Sequence, residues 1–524
     1  MRRAVFGLLA AGLAAVGLVG VAAVPAGAAI VPSGFVDELV ADNIGNPTAF
    51  AFTPDGRILA TTQPGLVRVI RNGGLLATPA LDISGKVCSN SERGLLGIAV
   101  DPQFTTNGFV FLYYSFKRSA SCDGSTVNRV SRFVMAGDTL GGEVGLVDNI
   151  PSPAGNHNAG DLNFGQDGFL YVSVGDGGCD YAGGGCGGSN NAARDRHALV
   201  GKILRITRNG GIPPGNPFGS GEGTAPCAAV GVLSTPGVWC QETFASGLRN
   251  PFRMAFDPNA AGTRFYINDV GQSTWEEIDD GAAGADYGWN VREGHCATGS
   301  TSNCGAPPAG MTNPIFDYGR ADGCTTITGG AFVPSGAWPA NYQGKYLFAD
   351  FGCGRLFRLD PNGSGGFTRV EVASALGTIV HLRFAPWSGT QALFYTTYAS
   401  GGEIRRIGHL ASIPSTTVTG FTWYTAGGSQ QSGPAGTVIS AYATGLARNA
   451  TFQLVSSPAD PTAPSKVCAR DPIPINNALR VSSSSGFIGR TDGAIVNRPP
   501  GDYDICFKQV NGTQIGFPLR FTVV

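Results

Sequence analysis

One pattern recurs along the chain: a short apolar run, a turn rich in Asp, Asn, Pro and Gly, then a second apolar run. It reads "TAFAFTPDGRILATT" from residue 48, "LLGIAVDPQFTTNGFVFLYYS" from 95, "DLNFGQDGFLYVSVGDGG" from 161, "RMAFDPNAAGTRFYINDVG" from 253, "GGAFVPSGAWPANYQGKYLFADFG" from 329 and "LRFAPWSGTQALFYTTY" from 382. Apolar runs of this length, bounded by turn residues, predict β-hairpins. Each hairpin is followed by a further strand-like run such as "GLVRVIR", "GKILRIT" or "GRLFRLD". Six such units predict four-stranded sheets packed radially, because a propeller protects the edges that isolated sheets would expose. The run "GFVDELVADNI" near residue 35 is expected to close the ring by pairing within the last blade.

The texture changes at "ASIPSTTVTG", a Ser/Thr/Pro stretch that reads as a short linker. Residues 411–524 then alternate as "TVISAYATGL", "ATFQLVSS", "DYDICFKQ" and "FPLRFTVV", which predicts a small immunoglobulin-like β-sandwich, with Cys468 and Cys506 placed to bridge its sheets. At the other end, residues 1–29 carry a charged start, an apolar core and a small-residue end, the signature of a secretory signal peptide. The fold class is therefore all-β: a six-bladed propeller over 30–410 and a sandwich over 411–524.

Composition agrees with this reading and adds a compartment. The chain has 79 Gly and 33 Pro, which suits many strands joined by turns. Its 12 Cys all follow the signal, several in close pairs (Cys179 and Cys186, Cys227 and Cys240, Cys296 and Cys304), so six disulfides and a secreted, extracellular or cell-envelope location are expected. With 36 basic against 37 acidic residues and no run of one sign, nucleic acid is excluded as a natural partner. No later stretch is long and apolar enough for a membrane span.

Propeller chemistry belongs to the loops at one end of the blades. His157, one of five histidines, precedes the third hairpin and Asp176 follows it. The start of one strand and the end of its neighbour meet at the same sheet edge, so the two are expected to be close. A carboxylate beside an imidazole fixes its tautomer and suits it to act as a general base. Arg249 and Asn250 open the fourth hairpin at the same edge, where an arginine clamps a carboxylate or stabilises a developing oxyanion. Asp269, Glu276, Glu277, Asp279 and Asp280 suggest an acidic loop for a hard cation such as calcium. Neither a GxSxG elbow nor a GxGxxG turn is present to indicate a serine hydrolase or a dinucleotide fold.

In order along residues 34–409, "ERGLLGIAVDP", "NHNAGDLNFGQDGFLYVSVGDGG", "GKILRI", "SGLRNPFRMAFD", "DVGQSTWEEID", "DYGWNVREG", "TITGGAFV" and "GKYLFADFGCGRLFRL" resemble the glucose/sorbosone dehydrogenase family of soluble quinoprotein aldose dehydrogenases. Some of the wording also resembles the branch of hedgehog-interacting-protein-like propellers. The resemblance implies pyrroloquinoline quinone over the channel mouth, calcium at the quinone and a second, structural calcium. It implies that His157 is the base, Asp176 its supporting carboxylate, and Arg249, Asn250 and Arg355 the cofactor contacts. Gly271 and Gln272 match carbonyls that bind the cofactor calcium, while Glu277 and Tyr287 keep the spacing of the structural calcium site. The chain departs from the family pattern in carrying Val270 before that glycine and Ser335 where a cofactor-contacting lysine is expected.

The expected function is therefore oxidation of an aldose-type sugar at its anomeric carbon to a lactone, with hydride transfer to the quinone and electrons passed to an external acceptor. Two alternatives stay open: a non-catalytic carbohydrate- or protein-binding propeller, and a calcium-dependent propeller lactonase. The C-terminal domain is open to attachment, carbohydrate binding or a passive spacer role.

Overall fold

The computed structural model describes residues 29–409 apart from 72–73 and 388–389, together with strand segments between Trp423 and Val523. All six predicted hairpins are present as the two innermost strands of six sheets. In blade order the hairpins are Pro47–Phe52 with Ile58–Thr62, Leu95–Val100 with Phe109–Phe116, Ala159–Phe164 with Leu170–Val174, Pro251–Phe256 with Phe265–Asp269, Ile327–Phe332 with Tyr346–Asp350, and Ile379–Trp387 with Thr390–Thr397. The six innermost strands pack side by side in a closed ring, the first against the last. Phe35–Ala41 pairs antiparallel with Glu403–His409 as the outer strand of blade 6, so the N-terminal strand closes the ring as expected.

Between neighbouring blades the alternating apolar positions form continuous cores. Leu96 and Phe111 of blade 2 meet Leu162, Val172 and Leu204 of blade 3, all buried. Every innermost strand also breaks register within its first few residues, for example between Ala159 and Leu162 and between Pro251 and Arg253. Such bulges twist the strand and re-aim side chains. Repeated six times around the ring, they turn polar groups at the strand starts toward one end of the channel.

Below that end the channel is filled rather than open. Arg253 donates to the carbonyls of Thr48 at 2.6 Å and Leu96 at 3.3 Å, tying blade 4 to blades 1 and 2. Arg383 donates to Asn163 at 2.6 Å, and His381 accepts the Phe50 N–H at 3.1 Å. Burial and the two neighbouring guanidiniums hold His381 well below the usual histidine range, so it is a neutral structural acceptor.

Five disulfides are described: Cys88–Cys122, Cys179–Cys186, Cys227–Cys240, Cys296–Cys304 and Cys324–Cys353. The three pairs read from spacing are among them. Beyond residue 409 the strand segments pair into a three-stranded and a five-stranded sheet. How those sheets pack, the sixth bridge, and the leader expected at 1–29 lie outside the described residues. Among the described residues no helix is long and apolar enough to cross a membrane.

Candidate active site

At the bulged end of the ring lies a cavity of about 440 Å³ to which all six blades contribute, lined by His157, Arg249, Asn250, Gln272, Arg320, Thr326 and Tyr398, among others. The loop before blade 3 delivers His157 in the left-handed backbone region, φ +52°. Gly175, just after the second strand, is a glycine by necessity: a Cβ there would stand 2.0 Å from the His157 carbonyl oxygen. That approach brings His157 Nδ1 to 2.7 Å from Asp176 Oδ1, with both residues buried.

Around this pair the hydrogen bonds define one protonation pattern. Asp176 Oδ1 also accepts the Gly178 N–H at 2.8 Å, and Oδ2 accepts the Trp289 indole N–H at 2.7 Å. An ionised carboxylate only accepts, so Nδ1 of His157 carries the proton. Nε2 is then the basic nitrogen, and no group among the described residues bonds to it. The His157 main-chain N–H donates to Glu92 at 2.8 Å, fixing the loop from blade 2.

Arg249 is held as a planar clamp beside this pair. Its Nε and Nη2 donate to Gln272 Oε1 at 3.0 and 2.8 Å, its Nη1 donates to the Val270 carbonyl at 2.8 Å, and the guanidinium lies 5.5 Å from the Trp289 ring centre. The Arg249 and Asn250 main-chain N–H groups both donate to Asp269, at 2.8 and 2.6 Å. Asn250 Oδ1 accepts the Ala159 N–H at 3.1 Å, joining blade 4 to the histidine loop.

The acidic segment is a strand, Trp275–Asp280, and not the loop its composition suggested. Side chains alternate across a strand, so Glu277 and Asp279 share one face while Glu276 takes the other and Asp280 is exposed. Asp269, paired in register with Glu277, completes a buried trio whose oxygens lie within 4.8 Å of one another. Among the described residues, neither carboxylate oxygen of Asp279 has a hydrogen-bond partner. Burial pushes Asp269 up to about 7, and burial with mutual repulsion pushes Glu277 and Asp279 well above the carboxylate range. Three buried carboxylates, one of them unpartnered, are the donor set a hard dication takes. Tyr287 adjoins the trio, but its hydroxyl is engaged, donating to the Asp280 carbonyl and accepting the Ala282 N–H.

Glu276 instead pairs with Arg320, which follows the outer strand Phe316–Gly319 of blade 4. Arg320 also donates to the Gly271 carbonyl at 2.9 Å and to the Gln272 carbonyl at 3.2 Å. Burial pushes Glu276 up to about 8. The turn presenting these two carbonyls is held from below by Glu293 Oε1, which accepts the N–H groups of Ser273, Thr274 and Trp275. Gly271 is also a glycine by necessity, because a Cβ there would stand 1.6 Å from the Trp275 carbonyl oxygen.

His157, Asp176, Arg249 and Asn250 therefore converge as the strand-edge argument predicts, and Gly271 and Gln272, which the resemblance points to, lie beside them. Arg355 does not: it sits on the third strand of blade 5 and pairs with Asp322 at 3.8 Å and Glu371 at 3.6 Å, outside the cavity lining. Ser335 lies beyond the far end of strand Ile327–Phe332, bonded to Asn259, so it does not occupy a lysine's place at the cavity. On that blade Thr325, Thr326 and Thr328 line the wall instead. Sequence reasoning left Glu92, Trp289 and Arg320 without roles. The first two stand inside the quoted motifs "ERGLLGIAVDP" and "DYGWNVREG", whereas Arg320 carries no local signal.

The model of the family described as Glucose / Sorbosone dehydrogenase matches residues 44–404. The HIPL2 protein of Arabidopsis thaliana is 29% identical over 353 residues, covering 56% of this chain and 47% of that protein. Quinoprotein glucose dehydrogenase B of Acinetobacter calcoaceticus is 27% identical over 280 residues, covering 49% of this chain and 52% of its own length. The chain thus spans about half the length of the curated relatives it matches. Among solved structures, the PQQ-bound aldose sugar dehydrogenase of Streptomyces coelicolor shares the fold, with a TM-score of 0.54 and 22% identity over 72% of this chain and 99% of that one.

Proposed function

Because the chain belongs to the glucose/sorbosone dehydrogenase family, we propose that it is an exported quinoprotein oxidising an aldose-type sugar at the anomeric carbon to a lactone. The observation that carries this reading is the His157–Asp176 pair at 2.7 Å on the wall of a cation-lined cavity. Pyrroloquinoline quinone, an anionic planar cofactor, fits that donor set, with Arg249, Asn250 and Arg320 as the residues that would hold it. Bound there, it supplies the two-electron acceptor for hydride from the sugar.

The protein's own part in the reaction is positional and protolytic. His157 Nε2 takes the proton of the anomeric hydroxyl, and Asp176 keeps Nδ1–H directed away from the substrate and stabilises the imidazolium that forms. Trp289 and Gly178 hold Asp176 in turn. The filled channel beneath, at Arg253, gives the cavity a floor. Behind Arg249, the trio of Asp269, Glu277 and Asp279 would hold one structural calcium. A calcium-dependent lactonase needs its metal where substrate binds, and that trio is not part of the cavity wall.

Titration of the purified chain with pyrroloquinoline quinone, followed by a panel of aldoses, tests the reading. Binding with sugar-dependent bleaching of the oxidised quinone is the expected result. Absence of binding at micromolar quinone overturns it in favour of a binding propeller.

Two substitutions probe individual contacts. Arg249→Ala should raise the quinone Kd at least about tenfold, the loss of one charge-assisted hydrogen bond. Its main-chain bond to Asp269 would survive, so calcium retention should not change. An unaltered Kd by calorimetry removes Arg249 from the cofactor site. Trp289→Phe deletes the 2.7 Å bond to Asp176 but keeps a ring beneath Arg249, and kcat should fall about tenfold with the sugar KM nearly constant. Wild-type kcat in that variant would mean the indole N–H does not help to orient the pair.

A further inference from the structure

The two main-chain carbonyls that the family resemblance assigns to a cofactor calcium are already bonded to a cation. Arg320 reaches the Gly271 oxygen through Nη2 at 2.9 Å and the Gln272 oxygen through Nη1 at 3.2 Å, while Nε donates to Glu276 at 3.0 Å and Nη2 bonds the same carboxylate. Calcium needs such oxygens at about 2.3–2.6 Å and six or more of them. An ion touching both carbonyls would lie against the Arg320 guanidinium. The calcium donor set is therefore spoiled at this point, whereas Asp269, Glu277 and Asp279 still bring three buried carboxylates together.

From this geometry we infer that Arg320 is the resident cation of the cofactor site, occupying the two carbonyls that a calcium ion would otherwise use. Arg320 lines the cavity, and its four bonds leave one Nη1 hydrogen without a partner among the described residues. A planar guanidinium suits a planar carboxylate, and Glu276, fully buried, fixes its orientation. Arg249 bonds the Gln272 side chain and the Val270 carbonyl of the same turn and lines the same cavity, so two guanidiniums address one anionic ligand. The consequence is a quinone site whose occupancy does not depend on divalent metal, with calcium confined to a structural role.

The inference rests on the quinoprotein reading, and its test separates the two. The full chain in excess calcium is passed through a desalting column with and without pyrroloquinoline quinone, and calcium per chain is measured by elemental mass spectrometry. Quinone is expected to add no calcium ion to the wild-type chain. In the neutral pair Arg320→Gln/Glu276→Gln, which avoids stranding a buried charge, quinone affinity in chelator should fall at least about tenfold. Arg320→Lys keeps the charge without the fork, and should weaken binding in chelator less than the neutral pair does.

A second calcium ion acquired with quinone by the wild-type chain would overturn the inference, and so would undiminished quinone affinity of the neutral pair in chelator. In either case the quinoprotein reading would stand. Failure of the wild-type chain to bind quinone under any condition would overturn that reading, and the inference with it.

Discussion

Replacing His157 by alanine should lower sugar-dependent dye reduction by about 10²- to 10⁴-fold, the range for loss of a positioned general base, while quinone binding and melting temperature stay close to wild type. The expectation follows from what the imidazole touches. Among the described residues its ring makes one hydrogen bond, from Nδ1 to Asp176, and the residue lines the cavity. The main chain of residue 157, which donates to Glu92 and packs against Gly175, is untouched by truncation of the side chain. Asp176 keeps the Trp289 and Gly178 N–H donors, so the buried carboxylate is not stranded. Stopped-flow reduction of the quinone-loaded protein reads the step directly. Undiminished reduction would sink the base assignment, and a parallel loss of quinone binding would make the ring a cofactor contact instead.

The second large effect concerns the buried carboxylate trio. Calcium at a hundredfold excess over its Kd should stabilise the chain by about 2.7 kcal/mol, which is roughly 3 °C in Tm for a domain of this size. Asp279→Asn should lose that response, because both Asp279 oxygens are unpartnered among the described residues and open to a metal. Without metal, Asp269, Glu277 and Asp279 have folded pKa values above their unfolded ones, because burial disfavours their charges. Groups shifted upward favour the folded state below the unfolded value of about 4 and lose that contribution as pH rises through the folded value. For Asp269 that folded value is about 7. The chelated protein should therefore lose stability between about pH 4 and 7 relative to the calcium-loaded one. The Tm gap between the two forms should widen from pH 5 to pH 8, and scanning calorimetry at both values measures it. A gap that is absent, or constant with pH, would argue against a metal in the trio.

Much of this site was legible before the fold. His157 and Asp176 were placed together by the rule that a hairpin's two ends share one sheet edge, and Arg249 and Asn250 by the same rule one blade on. The acidic segment was legible in composition but not in geometry. Its five carboxylates serve three different neighbourhoods, because strand alternation sends Glu276 to Arg320 and Glu277 with Asp279 toward Asp269. Arg355 and Ser335 show the limit of placing residues by motif order. One lies on the third strand of its blade in an ion-pair network, and the other lies at the far end of a strand whose start forms the cavity wall.

The sequence by itself determined the all-β class, six hairpins, the closing strand, three disulfide pairs and the His–Asp core of the candidate site. These follow from local periodicity, turn residues and neighbours within one hairpin, for which short spacing is enough. Only the tertiary structure decided that Trp289 supports Asp176 from 113 residues away, that Arg320 sits on the Gly271 and Gln272 carbonyls, and that Arg253 floors the channel. Each of those contacts joins blades or long insertions whose approach is set by the packing of the whole ring, which no local pattern encodes.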